Sequence, residues 1–228
     1  MSKRIKIEAM TEIMSQRMKE SWQTSPRVTY SMSAEISAAD AFIREFNSTY
    51  EQEGLRINYN HVLMKACALA SKKYELFNSS VADDAIIVHD EINIGLAVAT
   101  ENGLLVPNVK NVDQRSLPEL CKETKRIING ARRMKLDYDD LCGGTFTITN
   151  LGMYGIEAFT PIINQPEVAI LGVNQICPKL MMEDETIVPK RCMPLNLVAD
   201  HRIIDGALAA EYLNQVKRFL EAPETLID

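Results

Sequence analysis

The chain has 228 residues, 46% of them hydrophobic and 25% charged, the composition of an ordinary globular domain long enough to bury one sizeable core. Its formal net charge of -6 argues against general affinity for nucleic acid, which draws on clustered positive charge. No apolar run reaches the length of a membrane span, and the basic start Lys3, Arg4, Lys6 leads into Glu8 and Glu12 rather than a signal-peptide apolar region, so the expected location is the cytoplasm with no membrane attachment.

Met10, Met14 and Met18 recur at helical spacing beside Ile13, predicting a helix from about Ala9 to Trp22 with a Met-rich stripe. Such a stripe serves either as core or as a partner-facing surface, since Met adapts to irregular contacts. Arg27 to Ile36 reads as a strand. Ser37 then caps a helix bearing the stripe Phe42, Phe46, Thr49, Tyr50 and stopped by Gly54. Residues Asn60 to Lys73 are apolar around most of the circumference, the mark of a central helix buried on several sides, with His61 in its first turn. Segments Ala85 to Val88 and Ile92 to Thr100 read as a hairpin with His89 solvated in its turn, and after Glu101-Asn102-Gly103 a strand runs from Leu104 to Val109.

Ser116-Leu117-Pro118-Glu119 is a capping-box signature, followed by a helix with Leu120, Thr124, Ile127, Ile128, Ala131 and Met134 on its buried face. The opposite face carries Lys122, Lys125, Arg126, Arg132, Arg133 and Lys135, either as a plain solvated surface or as an attractor of anionic ligands. The five cysteines, Cys67, Cys121, Cys142, Cys177 and Cys192, are scattered without a CxxC pair, which fits a reducing compartment and leaves at least one thiol free. His61 and His89 have no Cys or His neighbours at metal-ligand spacing, so no metal is expected.

Three segments near the C-terminal half carry chemistry. Gly143-Gly144-Thr145-Phe146-Thr147-Ile148-Thr149-Asn150-Leu151-Gly152 alternates apolar and hydroxyl residues with the period of a half-buried strand. Phe159 to Val173 is a proline-punctuated loop feeding an apolar strand. His201-Arg202-Ile203-Ile204-Asp205-Gly206 lies between the strand Pro194 to Ala199 and an amphipathic helix, Ala207 to Ala222, with Leu208, Tyr212, Val216, Phe219 and Leu220 on one face. Such a connection is where functional residues concentrate, and histidine is suited to proton transfer near neutral pH. The plainer reading makes Asp205 a helix cap and His201 a polar loop residue.

Taken together, GGTFTITNLGMYG, FTPIINQPEVAILGV and ADHRIIDG resemble the catalytic domain of the dihydrolipoyl acyltransferases of 2-oxo-acid dehydrogenase complexes, and the motifs fall in that family's order. Gln23 to Thr29 looks like the family's entry strand and Gly103 to Val109 like its central one, so the resemblance covers nearly the whole chain. It implies an α/β fold like that of chloramphenicol acetyltransferase: a two-layer sandwich of a mixed sheet and packed helices, with active sites formed between subunits of a homotrimer. Trimers of this kind join into cubic or dodecahedral shells that work with a lipoyl domain, a decarboxylase and a dihydrolipoyl dehydrogenase. Residues 1–228 are expected to form one catalytic domain with an N-terminal helical arm over residues 1–26. The lipoyl domain, its Ala-Pro linker and the peripheral-subunit-binding domain find no counterpart in the sequence, so the lipoyl group would be carried elsewhere.

The reaction implied moves an acyl group between dihydrolipoamide and coenzyme A. His201 is then the base that takes the thiol proton, and Thr149, where relatives often have Ser, is the donor to the tetrahedral oxyanion. Asp205 belongs to the catalytic motif and Asn150 to the coenzyme A contacts. Relatives organise the aspartate with an arginine in an N-terminal Met-Arg-Lys. Here Met10-Thr11-Glu12 stands there, leaving Arg17 or Arg4 as substitutes. No basic residue lies between Thr145 and Cys177, which disfavours a succinyl carboxylate and points to acetyl, with branched-chain acyl groups open. The competing readings are a Cys142 nucleophile working with His201, an O-acetyltransferase of the chloramphenicol type, and a non-catalytic core scaffold.

Overall fold

The computed structural model describes residues 2–4, 6–7, 9–101 and 103–227, with Ala9 and Met10 by their backbone only. Glu8 and Asn102, and the side chain of Met10, lie outside the described residues. In chain order the elements are helix α1 (Ala9–Thr24), strand β1 (Arg27–Glu35), helices α2 (Ser37–Thr49) and α3 (Tyr59–Lys73), strands β2 (Ser79–Ala82), β3 (Ala85–Val88), β4 (Ile94–Leu96), β5 (Val98–Thr100), β6 (Gly103–Leu105) and β7 (Asn108–Val109), and helices α4 (Leu117–Arg132) and α5 (Tyr138–Leu141). Strands β8 (Phe146–Asn150), β9 (Ala169–Val173), β10 (Cys177–Glu183) and β11 (Thr186–Asp200) then lead to helix α6 (Gly206–Glu221).

The central mixed sheet has the order β1-β11-β9-β8-β4-β7, with β10 paired to the outer part of β11. Strands β4, β8 and β9 are mutually parallel, whereas β11 runs antiparallel to both β1 and β9. Alternation sorts the side chains. Phe146, Ile148, Leu171, Leu195 and Leu197 enter one core with α3 and α6, while Ile170 and Val198 face the other side, against Ile163 of the loop. At the centre of the main core Tyr212 of α6 is fully buried, stacked on Phe77 at 3.8 Å between centroids, and its hydroxyl donates to the Cys67 carbonyl at 3.3 Å. Burial also pushes the Cys67 thiol up to about 12, which leaves it unreactive.

Several sequence expectations are met and several change. Strand β1, the multiply buried α3, the capping box of Ser116 and Glu119, and α6 form as read. Ser37 does not cap α2: Ile36 holds the N-cap position, and the Ser37 N–H and Oγ both bond the Glu35 carboxylate instead. The hairpin of β3 with Ile92 to Thr100 does not form. Strand β3 folds back on β2, because the Asn78 amide donates to the carbonyls of His89 and Glu91, at 2.7 and 3.1 Å, and bends the chain between them. Strand β4 therefore enters the main sheet beside β8, and the predicted strand Leu104 to Val109 divides between β6 and β7. His89 is half-buried beside the Ser80 hydroxyl at 3.1 Å rather than free in solvent.

The Met-rich helix α1 is not core within this chain. Ile13, Met14 and Trp22 are exposed, and α1 is tied down at its C-terminal end, where Ser21 Oγ donates to the Ile163 carbonyl at 2.7 Å and Gln165 reaches Ser25.

Asn58 caps α3, and its backbone N–H donates to Nδ1 of His61 at 3.0 Å, so the imidazole completes the capping box in its neutral form. Burial pushes the His61 pKa down to about 4. Because the folded value lies below the unfolded one of about 6.5, the unfolded chain binds more protons in that window. Stability is thus fully held above pH 6.5 and lost as pH falls toward 4, by roughly 2 to 3 kcal/mol. Urea titrations at pH 7 and pH 4.5 are expected to show that His61→Gln, which can cap without charging, loses less stability on acidification than the parent.

Candidate active site

Strand β11 ends at Asp200, and the turn that follows is fixed by its backbone and by one ion pair between the buried Asp200 carboxylate and the exposed Arg202 guanidinium. The His201 N–H donates to the Pro26 carbonyl at 2.8 Å, and the Ile204 N–H returns to the Asp200 carbonyl at 2.9 Å. Asp200, 1% exposed, accepts from the Arg202 N–H at 3.0 Å and from its guanidinium at 2.7 and 3.1 Å. Such a charge-assisted fork is among the stronger side-chain contacts, and it raises the Arg202 pKa further above its usual range. The His201 imidazole is exposed and makes no hydrogen bond among the described residues. Its backbone is clamped while its ring is left open.

Asp205 is the N-cap of α6, its Oδ1 accepting from the Leu208 N–H at 2.8 Å, so the helix-capping role read from the sequence is present. No cation among the described residues pairs with it, and neither Arg17 nor Arg4 reaches it within this chain. The nearby Tyr30 hydroxyl, buried without a partner, has its pKa raised by burial and then by the Asp205 charge. Arg27, the cross-strand neighbour of Asp200, lies 3.5 Å over the Trp22 ring, and its Nη1 is buried without a partner.

Thr149 stands near the far end of β8, in a cleft of about 630 Å³ that is also lined by Asn60, Val98, Arg132, Met153 and Ile176. Its hydroxyl makes no hydrogen bond among the described residues. Asn150 beside it is occupied within the chain: Nδ2 donates to Asn60 Oδ1 at 2.8 Å and Oδ1 accepts from the Gly152 N–H at 2.9 Å. It acts on the cleft by holding the strand end and the turn Gly152–Tyr154 in place. Gly152 permits this turn, since a Cβ there would lie 2.7 Å from the Asn174 carbonyl oxygen. On the adjoining strand Gly172 leaves room for the Phe159 ring, which a Cβ would meet at 3.1 Å, and Asn196 Nδ2 fixes the Phe159 carbonyl at 2.6 Å.

One chain does not bring His201 and Thr149 together. Thr149 faces Gly172, Gly172 faces Asn196, and His201 lies five residues further along β11, at the opposite end of the sheet. At about 3.3 Å per residue and 4.8 Å per strand spacing the two are roughly 20 Å apart. Among the described residues no hydrogen bond joins the partly exposed Cys142 thiol to His201.

The model of the 2-oxoacid dehydrogenases acyltransferase (catalytic domain) matches residues 1–227. The chain belongs to this family. It is 36% identical over 224 residues to the dihydrolipoyllysine-residue acetyltransferase component of the Bacillus subtilis acetoin cleaving system, covering 98% of this chain and 56% of the relative. It is 37% identical over 226 residues to the corresponding component of the pyruvate dehydrogenase complex of that organism, covering 98% and 51%. The chain thus spans about half the length of these curated relatives. A solved structure of the Azotobacter vinelandii dihydrolipoamide acetyltransferase superposes with a TM-score of 0.96 at 36% identity, covering 100% of this chain and 95% of that one. That structure was used to investigate the role of a serine, a histidine and an asparagine in the catalytic mechanism, the serine 52 residues before the histidine and the asparagine four after it. Thr149, His201 and Asp205 stand at the same intervals. Chloramphenicol acetyltransferase, at 14% identity and a TM-score of 0.55, shares the fold.

In this acyltransferase domain the sequence reading missed the residues that hold the site. Asp200 and Arg202 flank His201 in the motif itself and could have been read as a pair. Glu167 gave no signal. It follows the cis Gln165-Pro166 bond and is 3% exposed, its Oε1 accepting from Thr147 Oγ1 at 2.9 Å and Asn164 Nδ2 at 2.8 Å while Oε2 has no partner. Burial pushes its pKa up to about 8, against the two hydrogen bonds. With the folded value above the unfolded one, the native state keeps a proton that the unfolded chain releases, so stability falls as pH rises from about 4.5 to 8. Glu167→Gln keeps the shape and removes the titration. Unfolding free energies from denaturant titrations at pH 5 and pH 8 are expected to fall less between the two for Glu167→Gln than for the parent, a difference of roughly 3 to 5 kcal/mol. Equal losses would show that Glu167 is ionised in the native state.

Proposed function

We propose that the chain transfers an acyl group, acetyl by preference, between dihydrolipoamide and coenzyme A at a site completed by two copies of the chain. The observation that carries this reading is the coincidence of Thr149, His201 and Asp205 with the intervals of the three residues investigated in the Azotobacter vinelandii acetyltransferase, on a backbone that superposes with a TM-score of 0.96. The separation of His201 from Thr149 within one chain favours the same conclusion. Each is open on its own side, so the histidine of one copy would meet the threonine of the next. A homotrimer satisfies that closure, and the similarity to the cubic core of the pyruvate dehydrogenase multienzyme complex, with a TM-score of 0.96, supports trimers as the unit of a larger shell. The lipoyl domain, decarboxylase and dihydrolipoyl dehydrogenase would be its working partners.

A thiol with a pKa near 8.5 is mostly protonated at neutral pH, so the attacking sulfur needs a base. His201, on a clamped backbone with a free ring, takes that proton and returns it to the departing thiol in the reverse direction. The Thr149 hydroxyl donates to the oxygen that gains charge when the thioester carbonyl becomes tetrahedral. Asp205 fixes the start of α6 behind the histidine, and Asn150 fixes the end of β8 beneath the threonine. Arg132 at the cleft supplies positive charge for the phosphates of coenzyme A.

His201→Ala is expected to lower turnover of acetyl coenzyme A with dihydrolipoamide by about 10² to 10⁴ without loss of assembly, and Thr149→Ala to lower kcat by about 10² with little change in KM. Mixing the two variants during refolding tests the shared site. Random trimers would regain about a quarter of parental activity, since one site in four would join an intact histidine to an intact threonine. No recovery from mixed trimers would place both residues in a single chain's site. Among acyl donors, catalytic efficiency is expected to be highest for acetyl and lowest for succinyl coenzyme A, because no basic residue between Thr145 and Cys177 can pair the succinyl carboxylate.

A further inference from the structure

Strands β10 and β11 form a hairpin that leaves the body of the sheet, and two of the five free cysteines lie directly opposite one another at its base. Cys177 is the Cα partner of Cys192, fifteen positions away in sequence. The tip shows which kind of pair this is. Asp184 and Glu185, with φ of 43° and 65°, form a two-residue turn of the type that closes on a hydrogen-bonded pair, here Glu183 and Thr186. Hydrogen-bonded pairs recur at every second position, so Lys179 with Lys190 and Cys177 with Cys192 are of the same kind. Pro178 and Pro189 fall on the alternate positions, where no ladder N–H is required.

In such a pair the Cα atoms are about 5.5 Å apart, inside the range of about 4.4 to 6.8 Å that a disulfide spans, while the Cβ atoms must close from about 5.5 to about 4 Å. The place allows that adjustment. Val173 faces Leu195 but Cys177 faces Cys192, so β9 and β10 together use one residue more than β11 over this stretch, a bulge at the hairpin base. Cys177 is partly exposed whereas Cys192 is 3% exposed.

We propose that Cys177 and Cys192 are a reversible dithiol that closes to a cross-strand disulfide when the protein meets a peroxide. The Cys177 thiolate attacks one peroxide oxygen, breaking the O–O bond and giving a sulfenic acid while the other oxygen leaves as water after gaining a proton. Cys192 sulfur then attacks the Cys177 sulfur, its proton leaving with the sulfenic hydroxyl as a second water. The balance is two thiols and one hydrogen peroxide to one disulfide and two waters. Burial raises the Cys192 thiol above its ordinary value, which withholds it from the peroxide and leaves the first step to the partly exposed Cys177. The cost of drawing the Cβ atoms together makes the bond more easily reduced than a relaxed structural disulfide. The crosslink would fasten the hairpin beside Ile176 and Met193, which line the cleft that holds Thr149.

The test uses the full chain, treated with hydrogen peroxide, alkylated and digested without reductant. Tandem mass spectrometry is expected to find the segment beginning at Cys192 joined through Cys177, two hydrogens lighter than the separate peptides, at least tenfold more abundant than any link involving Cys67, Cys121 or Cys142. Reduced glutathione is expected to reopen it without denaturant, and in Cys177→Ser the Cys192 thiol should remain alkylatable after the same treatment. The proposal is overturned if Cys177 and Cys192 both stay alkylatable under peroxide that oxidises Cys142, if Cys177 passes to the sulfinic acid with Cys192 still free, or if the crosslink resists glutathione until the protein is unfolded.

Discussion

The register of β11 is the constraint on which the rest depends. This one strand is paired on one edge to β1 and on the other to β9 and β10, so its hydrogen-bond ladder fixes three neighbours at once. A slip of a single residue would exchange Leu195 and Leu197 of the main core for Asn196 and Val198 of the opposite face. It would also unseat Asp200, whose burial is tolerable only with the Arg202 fork in place. The same ladder delivers His201 to one end of the sheet and, through β9, sets Thr149 at the other. The arrangement of chemistry is therefore a consequence of strand pairing before it is a property of any loop.

The two faces of the sheet obey different rules. The face against α3 and α6 is packed with aliphatic and aromatic side chains, which specify shape through close contact. The other face carries Thr147, Glu167, Asn164, Asn174 and Asn196, linked by hydrogen bonds and covered by the loop that precedes β9. Buried polar groups of this kind give directional contacts, at the cost of a few unpaired atoms such as Glu167 Oε2 and Asn174 Oδ1. Groups that must hold a strand end or a loop to a definite position benefit from that directionality, and this is the face on which the Thr149 side of the sheet is supported.

Much of this was legible in the sequence where the signal is periodic. The alternation in Phe146 to Asn150, the apolar circumference of α3 and the stripe of α6 each report a packing environment, and the three C-terminal motifs, read in order, led to the family. The β2 to β6 region was misread because its pairing is decided by the Asn78 amide, a contact between residues that share no pattern. The β10–β11 hairpin was missed as its turn is Asp-Glu, without the glycine that usually announces left-handed positions. Asp205 was weighed as a cap and holds that position, and Asn150, read as a coenzyme A contact, has its amide bonded within the chain, a long-range pairing with Asn60 that no local pattern announces. The division of His201 and Thr149 between opposite sheet ends follows only from strand order, which a linear motif does not encode.

Gly172 shows what an absent side chain can determine. Its φ is not in the left-handed region, so its backbone conformation is open to any residue, and its value lies in the volume it leaves to the Phe159 ring. Adding one carbon would press on that ring and on the Asn196 carbonyl, and the loop over this face would have to draw the Phe159 carbonyl away from the Asn196 amide that holds it at 2.6 Å. Even alanine at this position requires the Phe159 ring and the Asn196 carbonyl to give by a few tenths of an ångström, and larger residues require more. The loop and the strand beside Thr149 must change together, so diversification of this wall proceeds by paired replacements rather than by independent ones.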